Sequence, residues 1–179
     1  MRIALTGGIA CGKSLFAKFL RELGVQTLDA DDIVHGLIPE EERRCLAAVV
    51  FNDAAARRAL EARIHPLVRA QIDSWFAAPS RDALRVAIIP LLFECHWDAD
   101  YDIIISISSP VETQVRRMVE KRGMTRGQAE ARLSAQLPVA EKVARSHYAV
   151  VNDSTPEHLH EEAVRCVAWL RARQSEQSR

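Results

Sequence analysis

No charge of one sign dominates this chain. Its 24 lysines and arginines balance 24 aspartates and glutamates over 179 residues, so the formal net charge is zero. That excludes the global electrostatic footprint of a nucleic-acid binder. No apolar run approaches the roughly 20 residues needed to span a bilayer, so no membrane contact is expected. The four cysteines, Cys11, Cys45, Cys95 and Cys166, stand far apart and form no C-x-x-C pair. This argues against a disulfide frame or a zinc site, and reduced thiols in a cytoplasmic protein are expected. With the first apolar run reading as a strand, no secretory leader is expected, and no internal repeat is present. The rest is a globular composition, long enough for one domain with a substantial core.

What is present centres on Gly7-Gly8-Ile9-Ala10-Cys11-Gly12-Lys13-Ser14, which fits G-x-x-x-x-G-K-[ST], the phosphate-binding loop of nucleotide-using proteins. Its flanks agree. Arg2-Ile3-Ala4-Leu5-Thr6 is long enough for a buried strand, and Phe16, Phe19, Leu20 and Leu23 follow at helical spacing up to a stop at Gly24. Strand, glycine loop and helix in that order bring backbone N–H groups and a helix N-terminus to bear on an anion. Lys13 can reach terminal phosphates, and the Ser14 hydroxyl can hold Mg²⁺. A thiol at Cys11, beside Lys13 and a helix start, is expected to be acidic, so that its oxidation would block the phosphate site. The alternative is that Cys11 simply fills a small-residue position.

Further along, residues 25–28 read as a second strand running into Asp29-Ala30-Asp31-Asp32. One aspartate of this cluster suits a helix cap and another suits a place beside the phosphates. Residues 39–44 read as a solvated face, and Leu46, Val49 and Val50 as a small apolar stripe. Asn52 or Asp53 is expected to cap a helix ending near Ile64, with a new helix starting at Pro66 and broken at Pro79. Residues 85–89 and 102–107 read as strands. Ser109 with Glu112 reads as a capping box for a helix stopping at Gly123, and Thr125 with Gln128 as another. Residues 148–151 read as the last strand. Ser154 with Glu157 is expected to start a helix with a core stripe of Leu159, Ala163, Val167 and Leu170, ahead of a frayed tail from Arg171. Alternating strands and helices imply an α/β fold, a parallel sheet covered on both faces.

Eight cations crowd the span from Arg116 to Arg145: Arg116, Arg117, Lys121, Arg122, Arg126, Arg132, Lys142 and Arg145. They suit either a solvated face or a helical lid closing over ATP. His35, His96, His147, His158 and His160 show no metal-ligand spacing.

Taken together the motifs resemble the dephospho-coenzyme A kinase family. The matching pieces are LTGGIACGKS at 5–14, LDADDIV at 28–34, LEARIHP at 60–66, IPLLFE at 89–94, SPVETQVRR at 109–117 and QLPVAEK at 136–142. The resemblance implies a P-loop nucleoside-triphosphate hydrolase-like three-layer fold with a five-stranded parallel sheet. It implies a core of residues 1–34, 83–122 and 147–172, an acceptor-binding helical region at 35–82 and a lid at 123–146. The implied reaction is ATP-dependent phosphorylation of the ribose 3′-hydroxyl of dephospho-coenzyme A, giving coenzyme A and ADP. Asp31 matches the family's base, Lys13 the phosphate lysine and Arg117 the lid-hinge arginine. ATP falls to Gly8, Ile9, Ala10, Cys11, Gly12, Lys13, Ser14 and Leu15, Mg²⁺ to Ser14, and the acceptor to Thr6, Asp31, His65 and Leu92. No obligate protein partner is implied.

The chain departs from the family at Ala10-Cys11, usually Gly-Ser, and at Leu15, usually Thr. It is also shorter than the family pattern after Ile33, in a region that helps form the acceptor side. A kinase for another nucleoside or small metabolite, and a nucleotide-binding protein without transferase activity, are the alternative readings.

Overall fold

Short runs of isoleucine, valine, leucine and alanine make strands buried on both faces, the signature of a parallel sheet between helices. The computed structural model describes residues 1–39, 53–79 and 84–177. The chain forms two compact units, one of residues 1–27 with 82–179 and one of residues 28–81.

The first unit carries β1 (Ile3–Gly7), β3 (Arg85–Ile88), β4 (Ile103–Ser108) and β5 (Tyr148–Val151). The start of β2 (Gln26–Asp29) joins them, giving a five-stranded parallel sheet of order β2-β3-β1-β4-β5. Register is fixed by the central strand: Ile3 lies opposite both Val86 and Ile103, and Gly7 opposite Ile107. The helix α1 (Lys13–Glu22) follows the glycine loop and buries Phe16, Ala17 and Leu20 before ending at Gly24, where φ is 82°. The last helix, α7 (Pro156–Gln177), buries Leu159, Ala163, Cys166, Val167 and Leu170 in the same core. Each fully buried leucine there contributes roughly 1.5–3 kcal/mol. Between β4 and β5 lie α4 (Val111–Arg122), α5 (Arg126–Ser134) and α6 (Val139–Ala144). Val115, Met118 and Ala129 join α4 to α5 in a small cluster against which Ile9 and Ala10 of the loop also pack.

The second unit holds α2 (Ala30–Leu37) and α3 (Ala54–Ala77). Asp29 caps α2 by accepting from the Asp31 N–H, and Asp53 caps α3 by accepting from the Ala55 and Ala56 N–H groups. Both caps were legible as types. An apolar cleft is lined by Leu37, Ile38, Leu60, Ile64 and Leu67, with Arg63.

Four local expectations are corrected. Residues 54–77 form one 24-residue helix with Pro66 inside it, not two helices. Pro66 lacks the N–H that would bond back one turn, but intact turns on both sides carry the helix through. Ser109 makes no cap on α4, whose boundary residue Pro110 has no side-chain cap at all. At α7 the Thr155 hydroxyl, not that of Ser154, accepts from the His158 N–H. The chain beyond Arg171 stays helical to Gln177, and the Arg171 guanidinium donates to the Leu23 carbonyl at 3.3 Å. The apolar stripe expected at Leu46, Val49 and Val50 lies outside the described residues.

A buried thiol on α7 and a half-buried phenol on β5 make stability fall at alkaline pH. Burial, reinforced by the Glu162 carboxylate, pushes the Cys166 thiol up from 9.0 to about 12. Burial raises the Tyr148 phenol too, with Cys166 and Glu162 adding to the effect. A group whose folded value is raised contributes stability that is complete below its unfolded value and is lost as pH climbs toward the folded one. The urea midpoint is therefore expected to fall from about pH 9 upward, each thiol contributing at most about 1.4 kcal/mol per pH unit. Cys166→Ala should flatten that decline. A decline of equal slope in the variant would remove Cys166 as its source.

Candidate active site

The loop between β1 and α1 is a backbone shape that most residues cannot adopt. Gly7 has φ 143° and Gly12 has φ 97°. A side chain at Gly7 would strike the Ile107 carbonyl, and one at Gly12 would strike the Asn152 amide. Ala10 sits in the left-handed region at φ 57°, at a cost of roughly 1–2 kcal/mol. The Lys13 Nζ lies back across the loop, donating to the Gly7 carbonyl at 3.0 Å and the Gly8 carbonyl at 2.8 Å. Ser14 is exposed on the first turn of α1, while Leu15 packs against the core.

Cys11 does not have the acidity expected of it. Its side chain is 0% exposed, and burial raises its thiol above the ordinary value, outweighing the Lys13 ammonium and the hydrogen bonds from Ser109 and Gly8. A neutral, enclosed thiol is a poor nucleophile. Cys11 is a packed residue in a small-residue position.

A polar clasp buttresses the loop. Arg117 on α4 donates through Nη1 to the Ala10 carbonyl at 3.2 Å and to the Ser109 hydroxyl at 3.1 Å. Its Nη2 reaches the Asn152 carbonyl at 3.3 Å and Oδ1 at 3.4 Å. The Asn152 Nδ2 donates to the Cys11 carbonyl at 2.9 Å. Ser109 Oγ donates to the Asn152 carbonyl at 2.6 Å, and Gln114 Nε2 to the Ser109 carbonyl at 2.8 Å. Arg117 thus meets the loop through the Ala10 carbonyl. Ser109, Gln114 and Asn152 escaped sequence reasoning. The available signal was position: Ser109 and Asn152 directly follow β4 and β5, at the carboxyl edge where α/β sheets bind ligands.

A second polar group secures residues 90–94 after β3. Thr6 Oγ1 donates to the Pro90 carbonyl at 3.3 Å. Lys142, 0% exposed, donates to the same carbonyl at 3.1 Å and pairs with Glu94 at 2.6 Å. Glu94 also accepts from the Leu137 N–H at 3.1 Å. Arg145 pairs with Asp98 at 2.8 Å and stacks on Phe93. The side chains of Thr6 and Leu92, expected at the acceptor, are fully buried, and it is Leu91 that is exposed. Thr6 and Leu92 therefore support this segment from within. Among the eight cations, Arg126 is held by Glu112 and Glu130, while Lys142, Arg145 and Arg117 are engaged as above. Asp31 and His65 belong to the second unit, Asp31 exposed on the first turn of α2 and His65 half-buried within α3.

The dephospho-CoA kinase family model matches residues 1–42 and 40–158. The dephospho-CoA kinase of Anaeromyxobacter dehalogenans is 36% identical over 193 aligned positions, covering 94% of this chain and 92% of its own. A crystal structure from Thermus thermophilus superposes with a TM-score of 0.79 at 32% identity, covering 94% of this chain and 96% of its own. The dephospho-CoA kinase from Campylobacter jejuni, at 24% identity and TM-score 0.72, covers 97% of this chain and 98% of its own, and shares the fold.

The Lys142–Glu94 pair generates a double-mutant test. Removing one partner of a buried pair strands the other charge, at about 3–5 kcal/mol. Glu94→Leu should therefore cost about 3 kcal/mol in urea unfolding, near the low end because Glu94 keeps some exposure. Glu94→Leu with Lys142→Met should recover most of that loss. Additive losses would show that the two side chains act independently.

Proposed function

The chain belongs to the dephospho-CoA kinase family, and on that premise we propose how its residues carry the γ-phosphoryl of ATP to the ribose 3′-hydroxyl of dephospho-CoA. The observation that carries the assignment of roles is the loop: glycines at positive φ, a lysine folded over their carbonyls and a helix starting at Lys13. Phosphoryl transfer asks for alignment and charge neutralisation more than for covalent help.

In this reading the loop N–H groups and the α1 N-terminus take the polyphosphate. Lys13 exchanges the Gly7 and Gly8 carbonyls for the terminal phosphates. Its present bonds to those carbonyls, which lay the amine across the loop, support that reading. The exposed Ser14 hydroxyl on the first helical turn fits the oxygen-ligand demand of Mg²⁺, whose remaining ligands would be water and phosphate oxygens. When bound, that ion neutralises charge on the transferring group. Asp31 accepts the proton of the acceptor hydroxyl. Its exposure and its place behind the Asp29 cap leave the carboxylate available. His65 belongs to the acceptor-binding helical region, residues 35–82.

Residues 123–146 are read as the lid. The buried Lys142–Glu94 pair ties α6 to residues 90–94, so the part that closes is α5 and its flanks. No helix among the described residues is long and apolar enough to cross a membrane.

Acceptor-dependent ADP release is the direct test, with dephospho-CoA, adenosine and AMP offered separately. ADP is expected with dephospho-CoA alone. Asp31→Asn should lower turnover by ~10²–10⁴, the range of a lost general base, while ATP binding is kept. Unchanged turnover in that variant would remove Asp31 from the chemistry, and ADP release with adenosine or AMP would reassign the acceptor.

A further inference from the structure

We propose that Asn152 is a positioning residue for ATP: by holding the Cys11 carbonyl it aims the Gly12 N–H at the nucleotide. The proposal rests on the P-loop reading above.

A trans peptide is planar, and its C=O and N–H point in opposite directions. The Cys11 carbonyl and the Gly12 N–H belong to one peptide. Asn152 Nδ2 donates to that carbonyl at 2.9 Å, so the Gly12 N–H is directed away from Asn152. It has no acceptor among the described residues. A turned-out N–H at the last glycine of the loop, one residue before Lys13, is a donor held ready for a phosphate oxygen.

Asn152 itself is rigidly mounted. It is 6% exposed, its N–H donates to the Ser108 carbonyl at 2.8 Å, and its carbonyl accepts from Ser109 Oγ and from Arg117. Its side-chain orientation is dictated by its neighbours. Cys11 offers a carbonyl that demands a donor, and Arg117 offers an N–H that demands an acceptor at Oδ1. Only an amide meets both demands from one side chain of this size. The space is equally committed, because a side chain at Gly12 would collide with the Asn152 Nδ2. Gly12 and Asn152 are therefore matched: one supplies the turned peptide and the other locks it.

Asn152→Asp separates this role from simple packing. The replacement keeps shape and keeps an acceptor for Arg117, but sets a carboxylate oxygen against the Cys11 carbonyl. That repulsion favours rotation of the Cys11–Gly12 peptide. The KM for ATP is expected to rise about 10- to 100-fold, the value of one hydrogen bond to a charged group. The kcat at saturating ATP should stay within about threefold and the KM for dephospho-CoA should not change, because the lost contact is made equally in ground and transition states. In ¹⁵N-labelled native protein the Gly12 amide resonance should move on adding ATP, and in the variant that movement should be lost. Asn152→Ser, too short to reach both partners, gives the same comparison if Asn152→Asp does not fold. An unchanged KM for ATP, or a Gly12 resonance that responds normally in the variant, would overturn the proposal. So would a parallel fall in kcat and in affinity for both substrates, since that marks a general loss of structure. The Gly12 measurement needs ATP alone. Its failure is thus distinct from failure of the acceptor assignment, which ADP release in the native protein reports.

Discussion

The loop between β1 and α1 is held by donors to its carbonyls, and the polar site is built around those bonds. Gly7 and Gly8 carbonyls accept from Lys13, Ala10 from Arg117 and Cys11 from Asn152. Those bonds compete with the conformational cost of the loop. Ala10 in the left-handed region costs roughly 1–2 kcal/mol. Hydrogen bonds to a charged donor contribute roughly 1.5–3 kcal/mol each, and both the Lys13 ammonium and the Arg117 guanidinium supply them. The bonds outweigh the strain that they hold in place.

The sheet makes that clasp possible. Parallel pairing of β1 with β4 and of β4 with β5 sets Gly7 beside Ile107 and Ser108 beside Val151. The residues that directly follow β4 and β5 are then Ser109 and Asn152, already adjacent, and a 2.6 Å hydrogen bond joins them. α4 begins just beyond Ser109, so Gln114 and Arg117 arrive one and two turns later on the face toward the loop. A shift of one residue in either pairing would turn these side chains to the other face of the sheet. The apolar core built from Ile3, Leu5, Ile105 and Val150 thus fixes the register that the polar site requires.

What the sequence disclosed was what neighbouring residues decide. The loop motif, five strands, the Asp29 and Asp53 caps and the Thr125–Gln128 capping box all depend on residues a few positions apart, and the structure has each of them. Ser109 looked like a cap for the same local reason, but its hydroxyl is taken by Asn152, 43 residues away. Cys11 looked acidic from its neighbours Gly12 and Lys13, yet it sits in the apolar core and desolvation prevails. Pro66 looked like a helix start because proline prefers that position. In a helix this long the turns already formed before it outweigh one missing bond. In each miss a contact distant in sequence, or the sum of many, overrode a local preference.

The run of cations between Arg116 and Arg145 shows why charge spacing alone could not separate a lid from a solvated face. Internal partners, more than burial, divide the run, because Arg145 and Arg126 are exposed yet paired. An ammonium as enclosed as that of Lys142 must be paired, and Glu94 with the Pro90 carbonyl meets that need. Arg117 is spent on the loop, and Arg145 on Asp98 and the Phe93 ring. Arg116, Lys121, Arg122 and Arg132 are exposed instead. One cationic stretch therefore contains two kinds of charge. Some cations hold the phosphate loop and the segment after β3 in place. Arg116, Lys121, Arg122 and Arg132 lie exposed on α4 and α5, where solvent meets the demand that Glu94 meets for Lys142.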